Sequence, residues 1–85
     1  AQQEQTVSGV VQPDVMTSAE NKVVASDGDG LNLRKGPGTS YGIIRSISDG
    51  YPVVVKGKSS AVPGWVYVTD TTHGVSGWVS SAFLK

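Results

Sequence analysis

The 85-residue sequence predicts an all-β fold, a small barrel of five to six short and mostly antiparallel strands. Short apolar stretches recur at intervals of about ten residues beyond position 22, which is typical of small barrels and sandwiches. Asp-Gly and Gly-Pro pairs separate these stretches and supply the backbone angles that tight turns require. No segment has the length and apolar spacing of an amphipathic helix. A barrel is favoured over an open sheet because closure leaves fewer unpaired strand edges.

Six stretches of this kind are the predicted strands, and turn residues lie between them. In chain order the strands are residues 23–26, 31–35, 42–47, 53–57, 65–69 and 76–80. The turns and loops are residues 27–30, 36–38, 49–50, 59–64 and 70–74. Residues 36–38 read Gly-Pro-Gly, in which proline fixes one backbone angle and glycines permit angles that other residues resist. We expect this turn to have a conformational role and to present the residues that follow it.

Alternation within the strand at 31–35 assigns its two faces. Successive side chains of a strand point to opposite sides, so Leu31 and Leu33 share one face while Asn32 and Arg34 share the other. We expect the leucines to lie in the core and the polar pair to lie outside it.

A second alternation concerns the aromatic residues of the strand at 65–69. Val66 and Val68 form one set, and Trp65 and Tyr67 form the other. A barrel this thin cannot bury both sets, so we expect the valines in the core and the two rings on the outer face or under a loop. An exposed apolar patch on a small protein often marks an interaction site.

The first 22 residues differ in composition from the rest of the chain. They contain four glutamines and no aromatic residue, and Gly9 and Pro13 interrupt the helical spacing of their valines. We interpret residues 1–22 as a linker or poorly ordered tail and residues 23–85 as the domain. Because the sequence begins with Ala1 rather than Met, we also interpret it as part of a longer chain or as a mature chain after signal-peptide removal.

Charge and composition argue against several classes of function. The net charge is zero and no basic cluster exceeds Arg34-Lys35, whereas duplex nucleic-acid binders present a clustered basic face. No apolar run approaches the ~20 residues that span a bilayer. One histidine and no cysteine leave too few ligands for zinc, and no motif places catalytic residues together. We therefore expect no nucleic acid, membrane, metal or cofactor, and no catalytic residues.

Four stretches together resemble the bacterial SH3 (SH3b) domain family, namely LNLRKGPGTSYGIIRSISDG, YPVVVKG, GWVYV and GWVSSAFLK. Residues 23–85 match the family pattern in order and spacing, although the connections at 59–63 and 69–75 are longer than usual. The resemblance implies an SH3-like, mostly antiparallel β-barrel. It also implies a targeting module that is attached, in secreted peptidoglycan hydrolases, to amidase, endopeptidase or muramidase domains.

The resemblance further implies a groove beside the loop that follows the first main strand, here residues 36–42. We expect aromatic rings to offer flat faces to a ligand backbone or sugar ring, and polar groups to supply hydrogen bonds or meet a carboxylate. The expected ligand-binding residues are Asn32, Arg34, Thr39, Ser40, Tyr41, Trp65, Tyr67 and Trp78. Two alternatives stay open: packing against the barrel for Trp78, and hydrogen bonding to nearby backbone for Asn32 and Arg34.

These observations predict a non-catalytic module that binds and targets the cell wall. We expect it to be monomeric and extracytoplasmic, either secreted or associated with the wall. The expected partner is a peptidoglycan stem peptide, cross-bridge or glycan. The alternative is an extracytoplasmic protein- or peptide-interaction module that does not bind the wall.

Overall fold

Almost all of the regular structure is antiparallel β-sheet, as the sequence predicts. The structure, a computed structural model, describes residues 10–85. The strands are β1 (Val15–Val23), β2 (Leu31–Arg34), β3 (Ile43–Ile47), β4 (Pro52–Lys58), β5 (Trp65–Asp70) and β6 (Val75–Ser80), followed by a 3-10 turn at Ser81–Phe83. They form one sheet in the order β1-β4-β5-β6-β2-β3. A further bridge joins Val24 to Leu84, so the chain leaving β1 meets the C-terminal residues and the sheet coils around one core.

Strand β1 differs from the linker that the sequence analysis expects over residues 1–22. It pairs with β4, with Glu20 opposite Val55 and Val23 opposite Pro52, and nearly all of its side chains are exposed. Main-chain hydrogen bonds rather than buried side chains therefore hold this edge strand. Because its side chains are mostly polar and exposed, the sequence shows no apolar alternation from which the strand could be predicted. The predicted strand at 23–26 contributes only its first residue to β1. Residues 1–9 of the expected linker lie outside the described residues.

The core consists of the aliphatic sets that alternation assigns to the inner face. Leu33 and Val68 are fully buried, and Val66 packs against the same cluster. The predicted placement of the leucines and valines is therefore confirmed. The other buried aliphatic residues of this cluster are Val24, Leu31, Ile47, Val53, Val55, Val75 and Val79.

Strands β2 and β6 approach each other closely because a glycine lies between them. The register places Arg34 opposite Trp78. A Cβ atom on Gly77 would lie 2.7 Å from the Arg34 carbonyl oxygen and 2.9 Å from Leu33 Cγ, distances that a real side chain cannot adopt. The absence of a side chain at position 77 thus lets β2 and its outward residues lie directly against β6.

The turn after β1 is held by one carboxylate. Asp27 and Gly28 both adopt positive φ, at 59° and 91°. Asp49 Oδ2 accepts a hydrogen bond from the Gly28 N–H at 2.7 Å, and Asp49 Oδ1 accepts bonds from the Ser26 N–H and hydroxyl. These bonds, led by that from the Ser26 hydroxyl, hold the pKa of Asp49 below its ordinary value of 3.8. The strained turn is therefore tied to the β3–β4 connection through ionised Asp49.

We predict that Asp49→Ala lowers the thermal unfolding midpoint at pH 7. The midpoint of the variant should also fall less than that of the wild type when the pH is lowered. A depressed folded-state pKa contributes stability above the unfolded pKa near 3.8, and this contribution is lost as the pH falls through the folded value. Melting curves between pH 7 and pH 2 measure it. Asp29→Ala is the control, because within residues 10–85 the structure shows no hydrogen bond to that carboxylate. Equal acid profiles for wild type and Asp49→Ala would contradict the assignment.

We also predict that Leu33→Ala lowers the free energy of unfolding by about 2–5 kcal/mol, because it removes a fully buried side chain and leaves a cavity. Urea titration measures the change. Asn32→Ala on the same strand, where the side chain is exposed, should change it by less than about 0.5 kcal/mol. Similar losses for both variants would contradict the assignment of the two faces.

Candidate functional site

The outer face of β2, β6 and β5 carries the aromatic and polar residues that the sequence analysis selects. Directly opposed residues of antiparallel strands lie on the same face. Trp78 is opposite both Arg34 and Tyr67, and Ser80 is opposite Trp65. Because the core fills the inner face with aliphatic side chains, the three rings are all placed outside.

A groove of about 290 Å³ lies on one half of this outer face. It brings together four of the expected site residues, Asn32, Arg34, Thr39 and Trp65. Its other lining residues are Gly30, Leu31, Ser80 and Phe83. The groove therefore combines an indole and a phenyl ring with a guanidinium, an amide and hydroxyl groups, which suits a ligand that has both flat apolar surface and hydrogen-bonding groups.

Phe83 is the aromatic residue that the sequence analysis misses. It is 44% exposed and lies in the 3-10 turn after β6. The Ala25 N–H donates to the Phe83 carbonyl at 2.8 Å, and the Ser81 N–H donates to the Gly64 carbonyl at 2.9 Å. These long-range bonds fix the turn, and no local pattern encodes them. The one feature of the sequence that could have selected Phe83 as a site residue is that it is the single phenylalanine and follows a strand.

Arg34 braces the loop that forms one wall of the groove. Its Nη1 donates to the Tyr41 carbonyl at 2.9 Å and to the Thr39 carbonyl at 3.2 Å. Bonding to nearby backbone, the alternative kept open for this residue, is therefore confirmed. Arg34 also lines the groove, and it forms no ion pair with a carboxylate of the described residues. The groove thus has a positive charge at its loop wall.

Tyr41 and Ser40 do not line the groove. The Tyr41 ring lies over Gly36, where a Cβ atom would come within 2.5 Å of the ring atoms Cγ and Cε1. Neither Gly36 nor Gly38 has a positive φ, so the expectation that these glycines permit unusual angles is wrong. Gly36 leaves room for the ring, and Tyr41 closes the loop upon it while remaining 39% exposed.

Trp78 lies on the outer face but has no exposed surface. Its ring meets Tyr67 edge to face, with the centroids 5.6 Å apart, and its Nε1–H donates to the Val11 carbonyl at 2.8 Å. Packing, the alternative kept open for Trp78, is what the structure shows, because the segment at residues 10–14 covers the ring. Neither Trp78 nor Tyr67 lines the groove, and Trp78 offers no flat face to a ligand.

Trp65 also lines a second concave region, of about 490 Å³. Its other lining residues include Val15, Lys58 and Pro63. Trp65 is half-buried and is shared by both regions. An elongated ligand can therefore contact this ring from either groove.

Three further observations concern sites that the geometry does not favour. His73 Nδ1 lies 2.6 Å from Asp70 Oδ2 and its ring stacks on Tyr51, but none of these residues lines either groove. Residues 10–85 contain no group of three metal-ligating side chains. Within the same residues, no helix is long and apolar enough to cross a membrane.

Comparison with known proteins identifies the family of this chain. The family model described as "Bacterial SH3 domain" matches residues 29–85. A Bacillus subtilis (strain 168) protein named "Putative N-acetylmuramoyl-L-alanine amidase YrvJ" is 34% identical over 73 residues, which are 86% of this chain and 13% of that protein. The chain thus spans about an eighth of the length of this relative. No solved structure matches significantly.

We predict that Gly36→Ala forces the Tyr41 ring away from the loop and destabilises the domain by about 1–3 kcal/mol, as overpacking does. Tyr41 ring resonances and urea unfolding measure the two effects. Gly38→Ala is the matched control, because its Cβ atom would meet Tyr41 at 3.7 Å, an ordinary contact distance. An unmoved Tyr41 ring in Gly36→Ala would contradict this role of the glycine.

Proposed function

Because this chain belongs to the bacterial SH3 domain family, we propose that it is a non-catalytic module that binds peptidoglycan through the groove at Trp65. The module acts outside the cytoplasm and holds an attached cell-wall hydrolase near its substrate. The observation that carries the proposal is the convergence of Asn32, Arg34, Thr39 and Trp65 on one groove.

The relative supports the hydrolase context. Its printed name is "Putative N-acetylmuramoyl-L-alanine amidase YrvJ", and the similarity covers 13% of its length. A similar domain joined to such an enzyme would raise the local concentration of the enzyme at the wall, because binding by a linked module makes the second encounter effectively intramolecular. The catalytic residues would then belong to another part of the longer chain.

The chemistry of the groove suits peptidoglycan fragments. A sugar ring or an extended peptide backbone presents a flat face that stacks on an indole, and the phenyl ring of Phe83 provides a second such surface. Arg34 supplies a cation without a carboxylate partner in the described residues, and a stem peptide carries carboxylates that a guanidinium can bind. Asn32 and Thr39 supply further hydrogen-bonding groups at the same surface.

A second candidate function is peptide or protein recognition outside the wall. One observation favours it: residues 10–14 of this chain already lie across the outer face, with backbone groups of Val11 bonded to Lys35 and Trp78. Competition separates the two functions. Soluble muropeptides should release the module from peptidoglycan if the wall is the ligand, and should leave a protein complex intact if it is not.

We predict that Trp65→Ala weakens binding to purified peptidoglycan by about tenfold, equivalent to about 1.4 kcal/mol, because it removes the ring shared by both grooves. Co-sedimentation with sacculi measures the bound fraction, and melting curves verify folding. Trp65→Phe should retain most of the affinity because it keeps a flat face.

Tyr51→Ala is the matched control, since Tyr51 is an exposed aromatic residue that lines neither groove. Its affinity should equal that of the wild type. Unchanged binding by folded Trp65→Ala, or equal losses in both variants, would contradict the assignment of the site. Absence of binding by the folded wild type to sacculi would contradict the proposed function.

A further inference from the structure

The outer face has a second half, which the groove at Trp65 does not use. It lies beneath residues 10–14, defined here as the strap. The strap crosses the sheet from the end of β2 to β4, because Val11 bonds to Lys35 at one end and Pro13 packs on Gly57 at the other. Trp78 and Tyr67 lie between these points on the same face.

The strap is held by groups that recognise an extended backbone. The Val11 N–H donates to the Lys35 carbonyl at 2.7 Å, while the Val11 carbonyl accepts from Trp78 Nε1 at 2.8 Å. Indole N–H is a donor only, so Trp78 can satisfy it at this surface only with an acceptor such as a peptide carbonyl. Neither bond depends on the Val11 side chain, so any extended peptide can form both.

Side-chain selectivity arises at the proline and the acid that follow. A Cβ atom on Gly57 would lie 2.7 Å from Pro13 Cβ and 2.9 Å from Pro13 Cγ, so Gly57 leaves a recess that the proline ring fills. Asp14 Oδ1 accepts from the Ser60 N–H at 2.9 Å, and Oδ2 bonds to the Ser60 hydroxyl. The surface thus binds the backbone of Val11, the ring of the proline two positions later and the carboxylate of the next residue.

The attachment of the strap allows it to leave without opening the core. The pairing of β1 with β4 is irregular between Met16 and Glu20, and residues 17–19 are all exposed. A bulge is a local break in the ladder where a strand can bend. The strap and the first residues of β1 can therefore detach at this break while the remainder of β1 stays paired.

We propose that the surface beneath the strap is a binding site for a polypeptide segment in which a proline is followed by an acidic residue and the residue two positions before the proline is bound through its backbone. Residues 10–14 occupy this site as a displaceable internal ligand. The partner is a protein segment that carries this pattern. The site is separate from the 290 Å³ groove at Trp65, although Ser60, which holds Asp14, also lines the second concave region beside Trp65. It does not depend on peptidoglycan binding. When the partner displaces the strap, it makes the same contacts, so the surface beneath the strap stays covered.

The test adds an unlabelled peptide with the sequence of residues 10–15, VVQPDV, to the ¹⁵N-labelled chain and follows its amide and indole signals. The tethered strap competes at an effective concentration of the order of millimolar, so millimolar peptide is required. The Val11 and Gln12 amide signals of the chain should move to detached positions, whereas the Trp78 indole signal should remain hydrogen-bonded. The core amides of Val68 and Val79 should not move.

Two controls make the result decisive. The peptide VVQGDV, which lacks the proline, should displace the strap at least about fivefold less effectively. In the full chain, Pro13→Gly weakens the internal ligand, so half-displacement by VVQPDV should need about tenfold less peptide. Failure of VVQPDV to move the strap signals at saturating concentration in the wild-type chain overturns the proposal. Equal displacement by both peptides would contradict recognition of the proline by the recess at Gly57.

Discussion

The structure depends on one constraint: the inner face of β2, β5 and β6 has room for one set of side chains. Fully buried aliphatic residues such as Leu33 and Val68 occupy this face, and the rings of Trp65, Tyr67 and Trp78 lie on the opposite face. An uncovered row of rings would be an apolar patch in water. The strap covers Trp78 and satisfies its indole N–H, and it leaves Trp65 beside an open groove. Burial of one ring and access to another are thus consequences of the same arrangement.

The loop wall of the groove follows from a smaller set of contacts. Arg34 leaves β2 on the outer face and bonds to two carbonyls of the loop, while the Tyr41 ring closes on Gly36. Both contacts fix the loop from within, so Thr39 is presented to the groove by a rigid support. A binding surface whose groups are already positioned loses less conformational entropy when a ligand arrives. Tyr41 therefore supports the site indirectly, because it fixes the loop that presents Thr39.

Most of the fold was predictable because turn residues separate strands β2 to β6 and because alternation in the sequence assigns the faces of β2 and β5. Strand β1 was not predictable, since its exposed polar side chains carry no period and its pairing with β4 depends on main-chain bonds. For the site, alternation located Asn32, Arg34 and Trp65 correctly on the outer face. It could not reveal that Trp78 is covered, because the cover comes from a segment 67 residues away in sequence. Phe83 was missed for a related reason, as a turn held by long-range bonds places it at the groove.

Chemical-shift mapping of the full chain with stem peptides and glycan fragments tests most directly whether the uncovered half of the outer face binds the ligand. The account predicts that the shifts centre on the Trp65 indole, Asn32 and Phe83, and that the Trp78 indole signal stays in place because the strap covers it. Shifts centred on Tyr51 and His73 instead, or a Trp65 indole signal unmoved by every fragment that binds, would contradict it.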